Sequence, residues 1–196
     1  MTLGFSALKQ TDIKAYPGFT VKDLVLEIQR NPDSLEGYDA IILHVGTNNI
    51  GEKWQYNQYV DFVMGRMSKP QFVRLQNHWH DTSDDGLFKS DYRWLIDTVL
   101  WANPSAYILC SAIIQRPWDM KLRNGLRKHF NNIISTLSSQ SSLIYISTDR
   151  IFYDRRSIFK DCYFGKKGLH LSDKGSLALQ TFFSDKLRKA VLKQIY

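Results

Sequence analysis

A three-layer α/β domain, with a parallel sheet covered by helices on both faces, is the fold this sequence predicts. Three observations carry that expectation. Tyr38–Val45, Tyr107–Ile114 and Leu143–Ile146 are short apolar runs without polar alternation, as strands buried on both faces require. Between them stand segments with helical spacing of apolar residues, and parallel strands need such crossovers because a hairpin joins only antiparallel neighbours. The chain has 196 residues, enough for one core that needs no disulfide or metal staple.

Taken in order, Leu3–Ser6 reads as a first strand and Asp12–Tyr16 as a second, closed by Pro17-Gly18. Thr20 caps a helix: Asp23 stands three residues on, at the positive helix end, and Val21, Leu24, Val25 and Ile28 form the apolar stripe. Asn31-Pro32 stops it. After Tyr38–Val45, helices are expected over Trp54–Met67 and Leu87–Trp101, the latter burying Trp94, Leu95, Thr98, Leu100 and Trp101 and ending at Asn103-Pro104. Ser68–Gly86 carries no assignment. Trp118–Leu137 is amphipathic through Leu122, Leu126, Phe130, Ile133, Ile134 and Leu137. Ser172 caps the last helix, whose buried side is expected to hold Leu177, Leu179, Phe183, Leu187 and Val191 or neighbours of these.

Two cysteines, Cys110 and Cys162, without a spacing motif make neither a disulfide framework nor a zinc site, in keeping with a reducing compartment. His78-Trp79-His80-Asp81 has a metal-like look but lacks further ligands at telling spacing, so no metal or other cofactor is expected. No apolar run approaches ~18 residues and no signal peptide is evident, which predicts a cytoplasmic domain without a membrane partner. The net charge of +7 favours an anionic partner.

Open α/β sheets bind ligands at the carboxyl ends of their strands, which places Ser6, Gly18, Gly46, Asn48 and a late loop carrying His170 on one rim. Each residue also has a plainer reading. Ser6 can simply end a strand, Gly18 can be a turn glycine, Asn48 can cap a helix or order the rim, and His170 can pack near the Ser172 cap.

In order and spacing, Gly4-Phe5-Ser6, Pro17-Gly18, Gly46-Thr47-Asn48-Asn49 and Lys167-Gly168-Leu169-His170 resemble the four blocks of the SGNH, or GDSL-type, hydrolases. The resemblance implies a flavodoxin-like three-layer fold, with Ser6 at the nucleophile, Gly18 and Asn48 at the oxyanion donors and His170 at the base. Three departures stand against the chemistry: Phe5 and Asn49 occupy family Asp positions, and Lys167 stands where the triad acid belongs. A carboxylate there orients the imidazole and stabilises the imidazolium; losing it costs ~10⁴ in rate. Ser6, Gly18, Asn48 and His170 are therefore expected to be vestigial and the domain not to be an enzyme, the alternative being an active esterase using a Ser6/His170 dyad.

Basic side chains gather where that acid is lost: Arg150, Arg155, Arg156, Lys160, Lys166, Lys167 and Lys174, with Lys9 and Lys14 able to join them. Phe152, Tyr153, Phe159, Tyr163 and Phe164 interleave with them, and exposed aromatics stack bases at ~1–3 kcal/mol each. A second run, Arg116 to Lys128, reads as a solvated helix face. RNA, in particular single-stranded parts of messenger RNA, is the partner this predicts. Among degenerate members of the superfamily the pattern resembles the OSK domain of the Oskar family. That likeness implies a piece of a longer protein, germ-plasm ribonucleoprotein granules as its location and germ-plasm proteins as further partners.

Overall fold

The computed structural model describes residues 12–50, 61, 64–71, 74, 85–117, 124–141, 143–153, 160–165 and 170–192. Among these residues the sheet has three parallel strands in the order β1 (Ala40–Leu43), β2 (Tyr107–Ser111), β3 (Ile144–Ile146). Register pairs Ile41 with Ile108 and Leu43 with Cys110 on one side, then Leu109 with Ile144 and Ser111 with Ile146 on the other.

Helices bounded among the described residues are α1 (Val21–Arg30), α2 (Thr47–Ile50), α3 (Asp85–Ala102), α4 (Asn124–Gln140), α5 (Asp149–Phe152) and α6 (Asp173–Leu192). Leu43, Ile108 and Cys110 meet α1, α3 and α4 through Val25, Tyr92, Leu95, Val99, Ile134 and Leu137. Leu109 and Ile146, from the alternate positions, meet α6 at Ala190, with Ala40, Ile42, Phe182, Phe183 and Leu187 packed around them. A covered sheet on both faces is why its strands carry no polar alternation. Phe88 of α3 stacks on Phe130 of α4 with centroids 3.8 Å apart.

The expected start of α1 is present in full. Thr20 Oγ1 accepts from Asp23 N, while Asp23 Oδ2 accepts from Thr20 N at 2.9 Å and from Thr20 Oγ1 at 2.7 Å. Those two donors hold the Asp23 carboxyl below the usual carboxylate range.

Three expectations are corrected. Asp12–Tyr16 is not a strand. Its side chains bond to the segment before β1 instead: Tyr38 Oη donates to Asp12, Lys14 Nζ donates to Ser34 O, and Ile13 stays 71% exposed. Trp101 and Trp94 of α3 are 65% and 38% exposed, because the buried stripe runs through Phe88, Tyr92, Leu95, Ile96 and Val99 and turns both indoles outward. Leu177 of α6 is 64% exposed, two residues and so roughly half a turn from buried Leu179. Leu3–Ser6 and most of Trp54–Met67 lie outside the described residues.

Candidate active site

At the carboxyl end of β1 the chain leaves through Gly46, whose φ of +113° suits glycine. A Cβ there would sit 2.8 Å from Ile113 Cδ1, so the exit is also packed shut from the β2 side. Asn49 N donates to Gly46 O at 3.1 Å and closes the turn into α2.

The turn before α1 is built to leave a donor free. Phe19 N donates to Tyr16 O at 3.2 Å, Pro17 fills the second position and Gly18 the third with φ +85°, which is a type II turn. That closure does not use Gly18 N–H, which has no partner among the described residues. Asn48 joins this turn directly: its Nδ2 donates to Phe19 O at 2.9 Å. One Nδ2 hydrogen is thereby spent and the second remains. Gly18 N–H and an Asn48 N–H therefore stand in adjacent parts of one rim, the pairing that stabilises an oxyanion when both point at one oxygen.

His170 stands beside a closed pair of backbone segments. Phe164 and Leu171 form an antiparallel bridge, and Gly165 N donates to His170 O at 2.9 Å. Ser172 fastens the base of the loop, with N donating to Tyr163 O at 2.9 Å and Oγ to Cys162 O at 2.9 Å, and its Oγ also accepts from Gly175 N at 3.2 Å. The His170 side chain is exposed, and no described side chain bonds to it.

Below the rim, His44 Nδ1 lies 3.0 Å from Ser111 Oγ, and its ring meets Phe183 edge-on at 5.4 Å. Burial pushes the His44 pKa down to about 4, so the ring is neutral at pH 7. Ser111 is 0% exposed, which makes its hydroxyl a partner for His44 and unfit as a nucleophile. Beside them the segment after β2 hangs on buried polar groups. Arg127, 2% exposed, donates to Ile113 O at 3.3 Å, Gln115 Oε1 at 3.2 Å and Asp149 Oδ1 at 3.1 Å, and Tyr153 Oη also donates to Gln115. Asn131 accepts from Ile113 N at 2.7 Å and donates to Ile113 O at 3.1 Å. None of these hydrogen-bonded pairs shows in the sequence, because their members are 12 to 67 residues apart.

Among the described residues, Lys14 stands apart from the basic side chains of the His170 loop. Lys14 sits by Ser34 and Tyr38, at the amino end of β1 and so away from the rim. Lys160 and Lys174 lie 5.2 Å and 5.7 Å from the Tyr163 ring centre on the His170 loop, and Arg150 is exposed on α5. Of the expected stacking aromatics, Phe152 and Phe164 are core residues, 1% and 7% exposed, packed with Ile114, Ile151 and Leu179. Arg116 and Arg127 are buried, which corrects the reading of their run as a solvated face. Ser6, Lys9, Arg155, Arg156, Lys166, Lys167 and the His78–Asp81 segment lie outside the described residues. Among those described, no group of His, Cys, Asp or Glu could hold a metal ion, and no helix is long and apolar enough to cross a membrane.

Residues 5–178 match the model of the GDSL-like lipase/acylhydrolase family. A search of curated proteins found no match. Among solved structures, a proposed platelet activating factor from Streptococcus pneumonia aligns with TM-score 0.57 at 20% identity, over 87% of this chain and 69% of that one. A GDSL-like lipase from Bacteroides thetaiotaomicron aligns with TM-score 0.59 at 11% identity, over 88% and 73%. A Clostridium thermocellum family 3 carbohydrate esterase aligns with TM-score 0.53 at 18% identity, over 95% and 76%. The fold expectation is met, and the finer Oskar and germ-plasm resemblance finds no support in these matches. The expectation that the domain is not an enzyme is overturned: nearly the whole chain fits a family of hydrolases. Loss of one triad carboxylate does not by itself abolish catalysis, since oxyanion donors and binding alone retain ~10³–10⁴ of rate enhancement over water.

Proposed function

Since the chain belongs to the GDSL-like lipase/acylhydrolase family, we propose that it hydrolyses carboxylic esters through a Ser6/His170 dyad. In this reading Ser6 Oγ attacks the acyl carbon while the His170 imidazole takes its proton, and the tetrahedral oxyanion rests on Gly18 N–H and Asn48 Nδ2–H. The intermediate collapses with the proton passing from His170 to the leaving alcohol, and water then releases the acid by the same route. The observation that carries the reading is the bond from Asn48 Nδ2 to Phe19 O, which holds one donor beside the turn that leaves Gly18 N–H free. Lys167 in place of the acid removes the family carboxylate that stabilises the imidazolium, so turnover is expected to be slow. Turnover of p-nitrophenyl acetate by the purified chain, abolished in Ser6→Ala and in His170→Ala, tests it. Equal rates in all three proteins would remove the dyad.

A second reading, RNA binding on the same loop, is supported by the two ammonium groups that flank Tyr163. Retention of a single-stranded oligoribonucleotide should fall with salt at a slope of ~0.7 per phosphate neutralised. Lys160→Glu with Lys174→Glu should weaken it. Unchanged retention in that pair would end this reading.

A further inference from the structure

Asn49 looks from the sequence like a lost carboxylate, yet its Oδ1 accepts from Val21 N at 3.0 Å across 28 residues. Val21 opens α1, where four backbone N–H groups have no partner inside the helix. The Thr20–Asp23 box takes up the N–H groups of Thr20 and Asp23 and leaves that of Val21. We propose that Asn49 is a positioning residue for the oxyanion donors, an inference that rests on the ester-hydrolase reading above.

Neighbouring side chains of α2 grip the turn on both sides of Thr20: Asn48 donates to Phe19 O and Asn49 accepts from Val21 N. A single bond at Phe19 would leave the Tyr16–Phe19 turn free to pivot about one point. The second bond, of opposite donor sense, removes that rotation and sets where Gly18 N–H points relative to Asn48 Nδ2. An oxyanion hole works only when its donors lie ~2.7–3.1 Å from the oxygen, and a displacement of ~1 Å can cost ~10²-fold in rate. A carboxylate at this position would accept the same hydrogen bond and would gain from the positive helix end, whereas an apolar side chain could not accept it.

The test uses the full chain with p-nitrophenyl acetate as substrate and a trifluoromethyl ketone as mimic of the tetrahedral intermediate. Asn49→Ala should lower kcat by about 10- to 100-fold with KM within about twofold, and should weaken the ketone by the same factor as kcat/KM. Asn49→Asp, which keeps an acceptor in place, should hold kcat within about threefold of wild type. Should Asn49→Ala fail to fold, Asn49→Gln carries the test, because it keeps the amide and misplaces it by one methylene; its kcat should fall as well. Wild-type kcat in either folded variant, or an equal loss in Asn49→Asp, overturns the proposal while leaving the hydrolase reading intact. An inert wild-type protein overturns both.

Discussion

A Cβ on Gly175 would stand 2.0 Å from the carbonyl oxygen of Tyr163, so the first turn of α6 lies against the backbone of the loop that carries His170. No side chain, however small, fits between them without moving backbone. The same carbonyl accepts from Ser172 N at 2.9 Å, and Ser172 Oγ accepts from Gly175 N at 3.2 Å. Tyr163, Ser172 and Gly175 are therefore locked together at the start of α6.

Gly175→Ala is expected to push the Tyr163–Ser172 loop away from α6. Activity should be lost by far more than helix stability, since alanine itself favours a helix by about 1 kcal/mol over glycine. Ester turnover measured beside far-ultraviolet circular dichroism separates the two effects, and full activity in a folded variant would contradict the close packing.

Lys167→Asp restores a carboxylate three residues before His170. It should raise kcat, by up to about 10⁴-fold where the carboxylate reaches the imidazole. The check is the ratio of kcat for variant and wild type, with Ser6→Ala in the same background as control.

His44 links stability to acid. Its folded pKa of about 4 lies below the ordinary 6.5, so between those values the unfolded chain binds a proton that the folded chain refuses. Stability from this group is present above pH 6.5 and drains away as pH falls toward 4. Urea titrations at several pH values should show that slope in wild type and a flatter one in His44→Gln.

Arg127→Met removes a buried guanidinium from Ile113 O, Gln115 and Asp149 and leaves the first two buried without that donor. A loss of about 2–4 kcal/mol is expected, read from the midpoint of urea unfolding. A change below about 0.5 kcal/mol, the scale of a surface substitution, would place Arg127 outside the structural network.

The α1 cap was legible because Thr20 and Asp23 stand three apart, and local hydrogen bonds leave a local signature. The strands were legible because burial on both faces removes polar residues from Ala40–Leu43 and Tyr107–Ser111. Faces of helices were less so: α3 has more apolar residues than its buried stripe can use, and the sequence alone cannot say that Trp101 is surplus. The family was legible in four short blocks, whereas the inactivity expected from their departures fails because a missing residue says nothing about the groups that remain.

By itself the sequence determined the helix-covered parallel sheet, the strands β1, β2 and β3 and the capped start of α1, all of which depend on periodicity or on neighbours a few residues apart, while the oxyanion roles of Gly18 and Asn48 came only as what the family resemblance implies. Only the tertiary structure decided that Asn48 reaches Phe19, that Asn49 caps Val21, that His44 is held neutral beside Ser111 and that Lys14 lies at the far end of β1. These are contacts between residues 20 to 67 positions apart, created when the sheet brings strand ends together, and no local pattern encodes them.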